Sequence, residues 1–185
     1  MKRAFDVAAA GLGLIFLWPV ILLLAVLIRR GSHGPAIFTQ SRVGRNGQIF
    51  RCYKLRTMLG DTPNVPTHDA KASQVTPIGH FLRKTKLDEL PQLWNVLKGD
   101  MSLIGPRPCL PSQTELVAER VKRSVLQLRP GITGLAQIND VDMSDPVRLA
   151  EVDAEYLKIR SFALDMTILF RTVFGQEGRG DRVKV

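Results

Sequence analysis

The sequence predicts an α+β protein, mainly helical, in which an amino-terminal membrane-inserting helix is followed by a compact domain. That domain is expected to hold a short β-hairpin and amphipathic interfacial helices. Three observations predict this class. Residues 7–28 carry no charged side chain. Two runs of β-formers, Ile37-Phe38 and Ile49-Phe50-Arg51-Cys52-Tyr53, flank a turn bounded by Gly44 and Gly47, as in a hairpin. Beyond residue 77, apolar residues recur at helical spacing in several stretches.

With 185 residues, 45% of them hydrophobic, the chain is long enough to bury a core as one domain and too apolar to be disordered. Cys52 and Cys109 form neither a disulfide framework nor a CxxC pair, which fits a reducing compartment. Lys+Arg number 26 against 17 Asp+Glu, a net charge of +9. Such a surplus selects anionic partners: nucleic acid, phospholipid headgroups or phosphorylated substrates. His33, His68 and His80 are scattered, with no HExxH or triad-like arrangement, so zinc and serine-hydrolase chemistry have no support. No RRM, helix-turn-helix or zinc-finger pattern is present, and nucleic acid is therefore not an expected partner.

The apolar segment comes first. As one straight helix, residues 7–28 would extend about 33 Å, enough for a bilayer core of about 30 Å. Pro19, near the middle, removes a backbone donor and favours a kink. Basic pairs flank both ends, Lys2-Arg3 and Arg29-Arg30, whereas a spanning helix usually carries its positive charge on one side. A helix bent back at Trp18-Pro19, with arms of about 17 Å, would set both pairs at one anionic surface. On these residues alone, the spanning helix and the re-entrant hairpin both stand.

The hairpin follows, and its second strand delivers Lys54, Arg56 and Thr57. Residues 60–77, with Pro63, Pro66 and Pro77, read as a loop that could select substrate. A helix is expected from about Ile78 to Thr85. Leu90, Leu93, Trp94 and Leu97 then predict a helix from Glu89 to Lys98, with Asp88 as N-cap, Pro91 in the first turn and Gly99 as C-cap. Amphipathic helices are expected at 111–128 and 146–158, a strongly apolar one at 161–175, and a polar tail after it.

The chemistry centres on Asp88 and Glu89, adjacent acids preceded by Arg83, Lys84 and Lys86. The plain reading is structural: Asp88 caps a helix and Glu89 favours its dipole. The sharper reading is that such acids bind a divalent cation or attack a phosphate gathered by the cations. Pro106-Arg107-Pro108 holds a guanidinium between two rigid residues, which suits phosphate clamping; a solvated turn arginine is the alternative. Arg129-Pro130-Gly131, followed by Thr133-Gly134, offers glycines through which backbone amides could approach an anion. Walker order is absent, so no P-loop is claimed. Trp18 and Trp94 lie on apolar faces, for membrane or core packing.

The stretches "KLRTM", "LRKTKLDELPQLWNVLKGDMSLIGPRP" and "LRPGITGLAQIN" resemble the monotopic phosphoglycosyl transferases, a family of bacterial sugar transferases. The resemblance runs from Lys2 to about Phe174, and the length is similar to the small form without an added membrane domain. It implies transfer of a sugar phosphate from a UDP-sugar donor to a polyprenyl phosphate acceptor (undecaprenyl phosphate), with release of UMP. It further implies that Asp88 is the nucleophile, Glu89 its dyad partner and Arg83 a phosphate-binding residue. With the residue reading, Asp88 and Glu89 are the expected catalytic residues and Mg²⁺ ligands. Arg83, Arg107, Lys54, Arg56 and Arg129 are the expected phosphate-binding residues.

The implied organisation is a re-entrant membrane helix over residues 1–30 broken at Pro19, a catalytic domain over 31–175 and a polar tail over 176–185. The implied location is the cytoplasmic face of the bacterial inner membrane, with anionic phospholipid as a partner. One departure matters. The family's break is commonly Ser-Pro, and the Trp18 indole cannot cap the freed carbonyl as a serine hydroxyl would. A membrane-tethered basic binding protein without catalysis would also explain the charge and the apolar helix, but not the acid pair or the proline-flanked arginines. A polytopic transferase would need more apolar helices than this one.

Overall fold

The computed structural model describes residues 1–60 and 74–174. Most of the loop expected at 60–77, and the tail expected at 176–185, lie outside the described residues.

The apolar segment forms one helix, α1 (Lys2–Gly31), which continues through Pro19. Instead of two separate arms there is a single helical run. Both of its ends pack on the same domain. At the amino end, Lys2 Nζ donates to Asp165 at 2.6 Å, and Arg3 donates to the carbonyls of Val96 at 2.7 Å and Leu97 at 3.1 Å. Asp6, 2% exposed, accepts from Ser102 Oγ at 2.9 Å and the Leu103 amide at 3.2 Å. Phe5 meets Phe162 edge-on. Toward the carboxyl end, Leu24 and Ile28 are buried with Ala36, Leu55 and Leu82. Between these anchors Ile15, Phe16, Trp18, Leu22 and Leu23 are exposed. Lys2 and Arg3, expected at a lipid surface, are instead engaged by the protein.

Strands β1 (Ile37–Val43) and β2 (Ile49–Leu55) pair antiparallel, in register from Ile37 opposite Leu55 to Val43 opposite Ile49. The expected turn is a 3-10 segment, Arg45–Gly47, where Asn46 and Gly47 adopt positive φ. Helix α2 (Pro77–Thr85) starts with Thr76 Oγ1 accepting from the Gly79 amide at 3.0 Å, as an N-cap should.

Asp88 is not an N-cap, contrary to the sequence expectation. Lys86, at φ 57°, ends α2 and reverses the chain into a 3-10 turn, Leu87–Glu89. Helix α3 (Gln92–Lys98) begins only after Pro91. Pro91 has no amide hydrogen to satisfy, so it tolerates the junction. Gly99, at φ 94°, ends α3 as predicted.

A second, parallel sheet joins β3 (Ser102–Ile104) to β4 (Gly131–Thr133). The glycines of the 129–134 stretch serve this contact. A Cβ on Gly131 would lie 2.1 Å from the Gly105 nitrogen, and one on Gly134 would lie 2.2 Å from the Gly105 oxygen. Helix α4 (Thr114–Lys122) is shorter than expected because Ser124 takes a left-handed conformation before a 3-10 turn, Val125–Gln127. A short α5 (Leu135–Ile138) follows β4. Helices α6 (Pro146–Ile159) and α7 (Phe162–Phe174) match the predicted stretches. The main core gathers Ala10, Val96, Met101, Ile104, Tyr156 and Ile168, and so includes α1.

Gly131→Ala tests the close crossing of β3 and β4. The added methyl would meet the backbone of Thr133 in β4 and of Gly105 just after β3, which cannot swing aside as a side chain can. It should destabilise the fold by about 1–3 kcal/mol or more, read as a lowered midpoint of thermal unfolding. An unchanged midpoint would mean that the strands separate freely.

Candidate active site

Three segments converge on the acid pair. The 3-10 turn after α2 presents Asp88 and Glu89, β2 presents Lys54, and the rigid stretch after β3 presents Arg107. Oε1 of Glu89 accepts from Lys54 Nζ and from Arg107 Nη2, each at 2.9 Å. The Glu89 side chain is only 12% exposed. Arg83, on the last turn of α2, donates Nε to Thr57 Oγ1 at 2.9 Å. No described side chain forms a hydrogen bond with Asp88.

The two acids therefore titrate apart. Burial opposes the charge on Glu89, but Arg107 and Lys54 overcome that penalty by proximity and hydrogen bonding. They hold its carboxyl well below the usual carboxylate range. For Asp88, burial is the largest influence and raises its pKa from the ordinary 3.8 to about 6; Lys54 opposes it, Glu89 adds to it, and Arg107 and Arg83 oppose it. Neighbouring carboxylates driven apart in this way divide chemical roles. Near neutral pH both are ionised, yet Asp88 alone among the two is not tied up by hydrogen bonds to cations.

Of the expected phosphate-binding residues, Lys54 and Arg107 sit in the cluster and Arg83 acts on Asp88 electrostatically. Arg56 and Arg129 do not belong to it. Arg56 donates to the carbonyls of Ser32 and His33 and to Ser32 Oγ, closing the end of α1. Arg129 Nε donates at 2.9 Å to the Gly99 carbonyl at the far end of α3. Each guanidinium bonds the carbonyl of a helix's C-cap residue, Ser32 for Arg56 and Gly99 for Arg129.

Asn95 was not foreseen. It is fully buried on α3, donates to the Arg51 carbonyl at 2.7 Å and accepts from the Tyr53 amide at 3.1 Å. It therefore fixes α3 to β2 one residue before Lys54. Its one signal in the sequence was a lone amide inside the apolar run Leu93 to Leu97. Trp94 is exposed, which excludes the core-packing alternative.

Among the described residues no group of three His, Cys, Asp or Glu side chains converges as a metal site. Mg²⁺ takes one or two carboxylates and completes its shell with water and substrate phosphate. Asp88 and Glu89 offer that donor set.

One helix long and apolar enough to cross a membrane is docked on a domain that sets two acids among cations. Residues 1–176 match the family described as bacterial sugar transferase, and the chain belongs to that family. It is 40% identical to the undecaprenyl-phosphate glucose phosphotransferase of Komagataeibacter xylinus, over 93% of this chain and 35% of the relative. It is 39% identical to the undecaprenyl-phosphate galactose phosphotransferase of Salmonella typhimurium, over 93% of this chain and 39% of the relative. A UDP-glucose:undecaprenyl-phosphate glucose-1-phosphate transferase of Caulobacter vibrioides is 40% identical, over 93% of this chain and 68% of the relative. The chain thus spans only about a third to two thirds of these relatives' lengths.

The Asp88 shift has a stability consequence that does not depend on turnover. Between the ordinary carboxylate pKa and about 6, the folded protein keeps a proton that the unfolded chain has released. Stability therefore falls as pH rises through that window. Asp88→Asn cannot ionise and escapes the loss. At pH 7 the variant should be more stable than wild type by about 1–3 kcal/mol, the difference closing below about pH 4. Equilibrium unfolding at both pH values decides it, and a variant less stable at pH 7 would contradict the assigned shift.

Proposed function

We propose that this protein transfers a sugar 1-phosphate from a UDP-sugar to undecaprenyl phosphate, a membrane polyprenyl phosphate, with release of UMP. The observation that carries this reading is the division of the acid pair. Glu89 is fixed by Lys54 and Arg107, and Asp88 beside it is left to react. The names of the relatives supply the donor and acceptor classes.

In the first step a carboxylate oxygen of Asp88 attacks the sugar-bearing phosphorus. The bond from that phosphorus to the bridging oxygen breaks, and UMP leaves with the electron pair. The product is an acyl phosphate that joins Asp88 to the sugar phosphate. In the second step a phosphate oxygen of the polyprenyl acceptor attacks the same phosphorus and returns Asp88 as a carboxylate. Covalent splitting suits a donor from water and an acceptor from the bilayer, since they need not meet at once. Arg107 and Lys54, held by Glu89, face the phosphate oxygens on which charge accumulates. Asp88 and Glu89 would hold Mg²⁺ together with the donor diphosphate, and when bound the ion supplies further neutralisation of phosphate charge.

The proposed site of action is the cytoplasmic face of the bacterial inner membrane, with the exposed apolar middle of α1 inserted into one leaflet and both of its ends held at the domain. Support comes from the packing of both ends of α1 on one domain and from the exposed apolar stretch between them.

In membranes supplied with UDP-sugars and undecaprenyl phosphate, wild type should release UMP, and chelation by EDTA should stop it until Mg²⁺ is restored. Asp88→Asn should lower turnover by about a thousandfold or more. Donor without acceptor should leave a sugar-phosphate mass on wild type and none on the variant. Substantial turnover by Asp88→Asn would remove Asp88 as nucleophile.

Topology has its own measurement. With Cys52 and Cys109 replaced, a cysteine inserted ahead of Lys2 should resist an impermeant maleimide in intact cells and react after lysis. Labelling from outside would show that α1 spans the membrane.

A further inference from the structure

Arg107 is carried on the stretch from Pro106 to Cys109, and every carbonyl of that stretch is bonded. Pro106 O accepts from the Gly131 amide at 2.8 Å, and Cys109 O accepts from the Val43 amide at 2.9 Å. Pro108 O accepts from Arg42 Nη1 at 2.9 Å, and Arg107 O accepts from Arg120 Nη1 at 2.8 Å. The two prolines have no amide hydrogen, so carbonyls are the main handles by which the stretch can be held. Donors reach them from β4, β1 and α4.

Arg120 stands apart among these donors. It is 2% exposed on α4, a position where a guanidinium is unfavourable unless fully matched. Asp153 of α6, 3% exposed, matches it: Arg120 Nε and Nη2 donate to Asp153 Oδ2 at 2.9 and 2.7 Å. That pairing orients the guanidinium plane and leaves Nη1 aimed at the Arg107 carbonyl. An apolar pair of similar volume would fill this space at least as favourably. What it would not supply is a directed donor.

We propose that Arg120, oriented by Asp153, is a positioning residue for the transfer reaction. It fixes the backbone of Arg107 so that the Arg107 guanidinium stays on Glu89 and faces the donor phosphate. This rests on the reading above that Arg107 engages the donor. Arg120 touches no substrate and acts only through Arg107.

The test uses the full-length protein in membranes. Arg120→Lys keeps a positive charge beside Asp153 but lacks the fork that reaches two partners at once. It should raise KM for the UDP-sugar and lower kcat/KM by about ten- to a hundredfold. In an Arg107→Ala background the same substitution should change kcat/KM by less than about twofold, because its route of action is gone. Without any substrate, phenylglyoxal should modify Arg107 roughly several-fold faster in Arg120→Lys than in wild type, measured on the Arg107 peptide by mass spectrometry. Asp153→Asn, which keeps an acceptor for Arg120, carries the same measurements if Arg120→Lys fails to fold. Additive effects in the double-mutant cycle, with unchanged Arg107 reactivity, would overturn the proposal. Absence of turnover by wild type on any UDP-sugar would instead sink the transferase reading, and Arg107 reactivity alone would then decide the clamp.

Discussion

A single carboxylate oxygen organises this molecule. Oε1 of Glu89 takes Lys54 from the hairpin and Arg107 from the stretch after β3, so three segments distant in sequence meet at one atom. The gain is not stability. A buried carboxylate with two cations is on average no better than apolar side chains filling the same volume. The cluster is better explained by what it leaves beside it: an acid whose charge is raised in energy by burial, with cations close enough to attract a phosphate. Stability given up at such a place is the usual companion of reactivity.

That arrangement depends on backbone features with no chemistry of their own. Lys86 in the left-handed region turns the chain so that the two acids follow α2 in a tight 3-10 turn. Asn95 binds α3 to the strand that carries Lys54. The crossing of β3 and β4, close enough to require glycine at 105 and 131, starts the stretch that carries Arg107.

Much of this was legible in the sequence, and the failures share a cause. The hairpin, α2, α6, α7 and the Gly99 stop followed from turn residues and periodicity. The residues that meet at the acid pair were singled out by the cations crowding Asp88 and Glu89, by the prolines on both sides of Arg107, and by the place of Lys54 at the end of the hairpin's second strand. Arg56 and Arg129 lie outside the cluster, bonded to backbone carbonyls, because sequence shows a guanidinium but not its acceptor, and such carbonyls compete with phosphate for the same donors. β3 and β4 are three residues each, too short to show a period of two. The capping role given to Asp88 failed because a positive φ at a lysine is set by tertiary packing and leaves no mark on composition. Lys2 and Arg3 looked like headgroup ligands for the same reason that Arg56 looked like a phosphate ligand.

The amino end of α1 is fastened by partners that lie far along the chain: Ser102 and Leu103 for Asp6, Asp165 for Lys2. During synthesis those partners do not yet exist when the apolar helix leaves the ribosome. Until then Lys2, Arg3 and Asp6 have only water as partner, and on a membrane-inserted α1 the bare cations would oppose passage across a bilayer. The fastening closes only after α7 has been made. The order of events then runs opposite to the order of residues: α1 is made before Ser102, Leu103 and Asp165, and is secured only after all three.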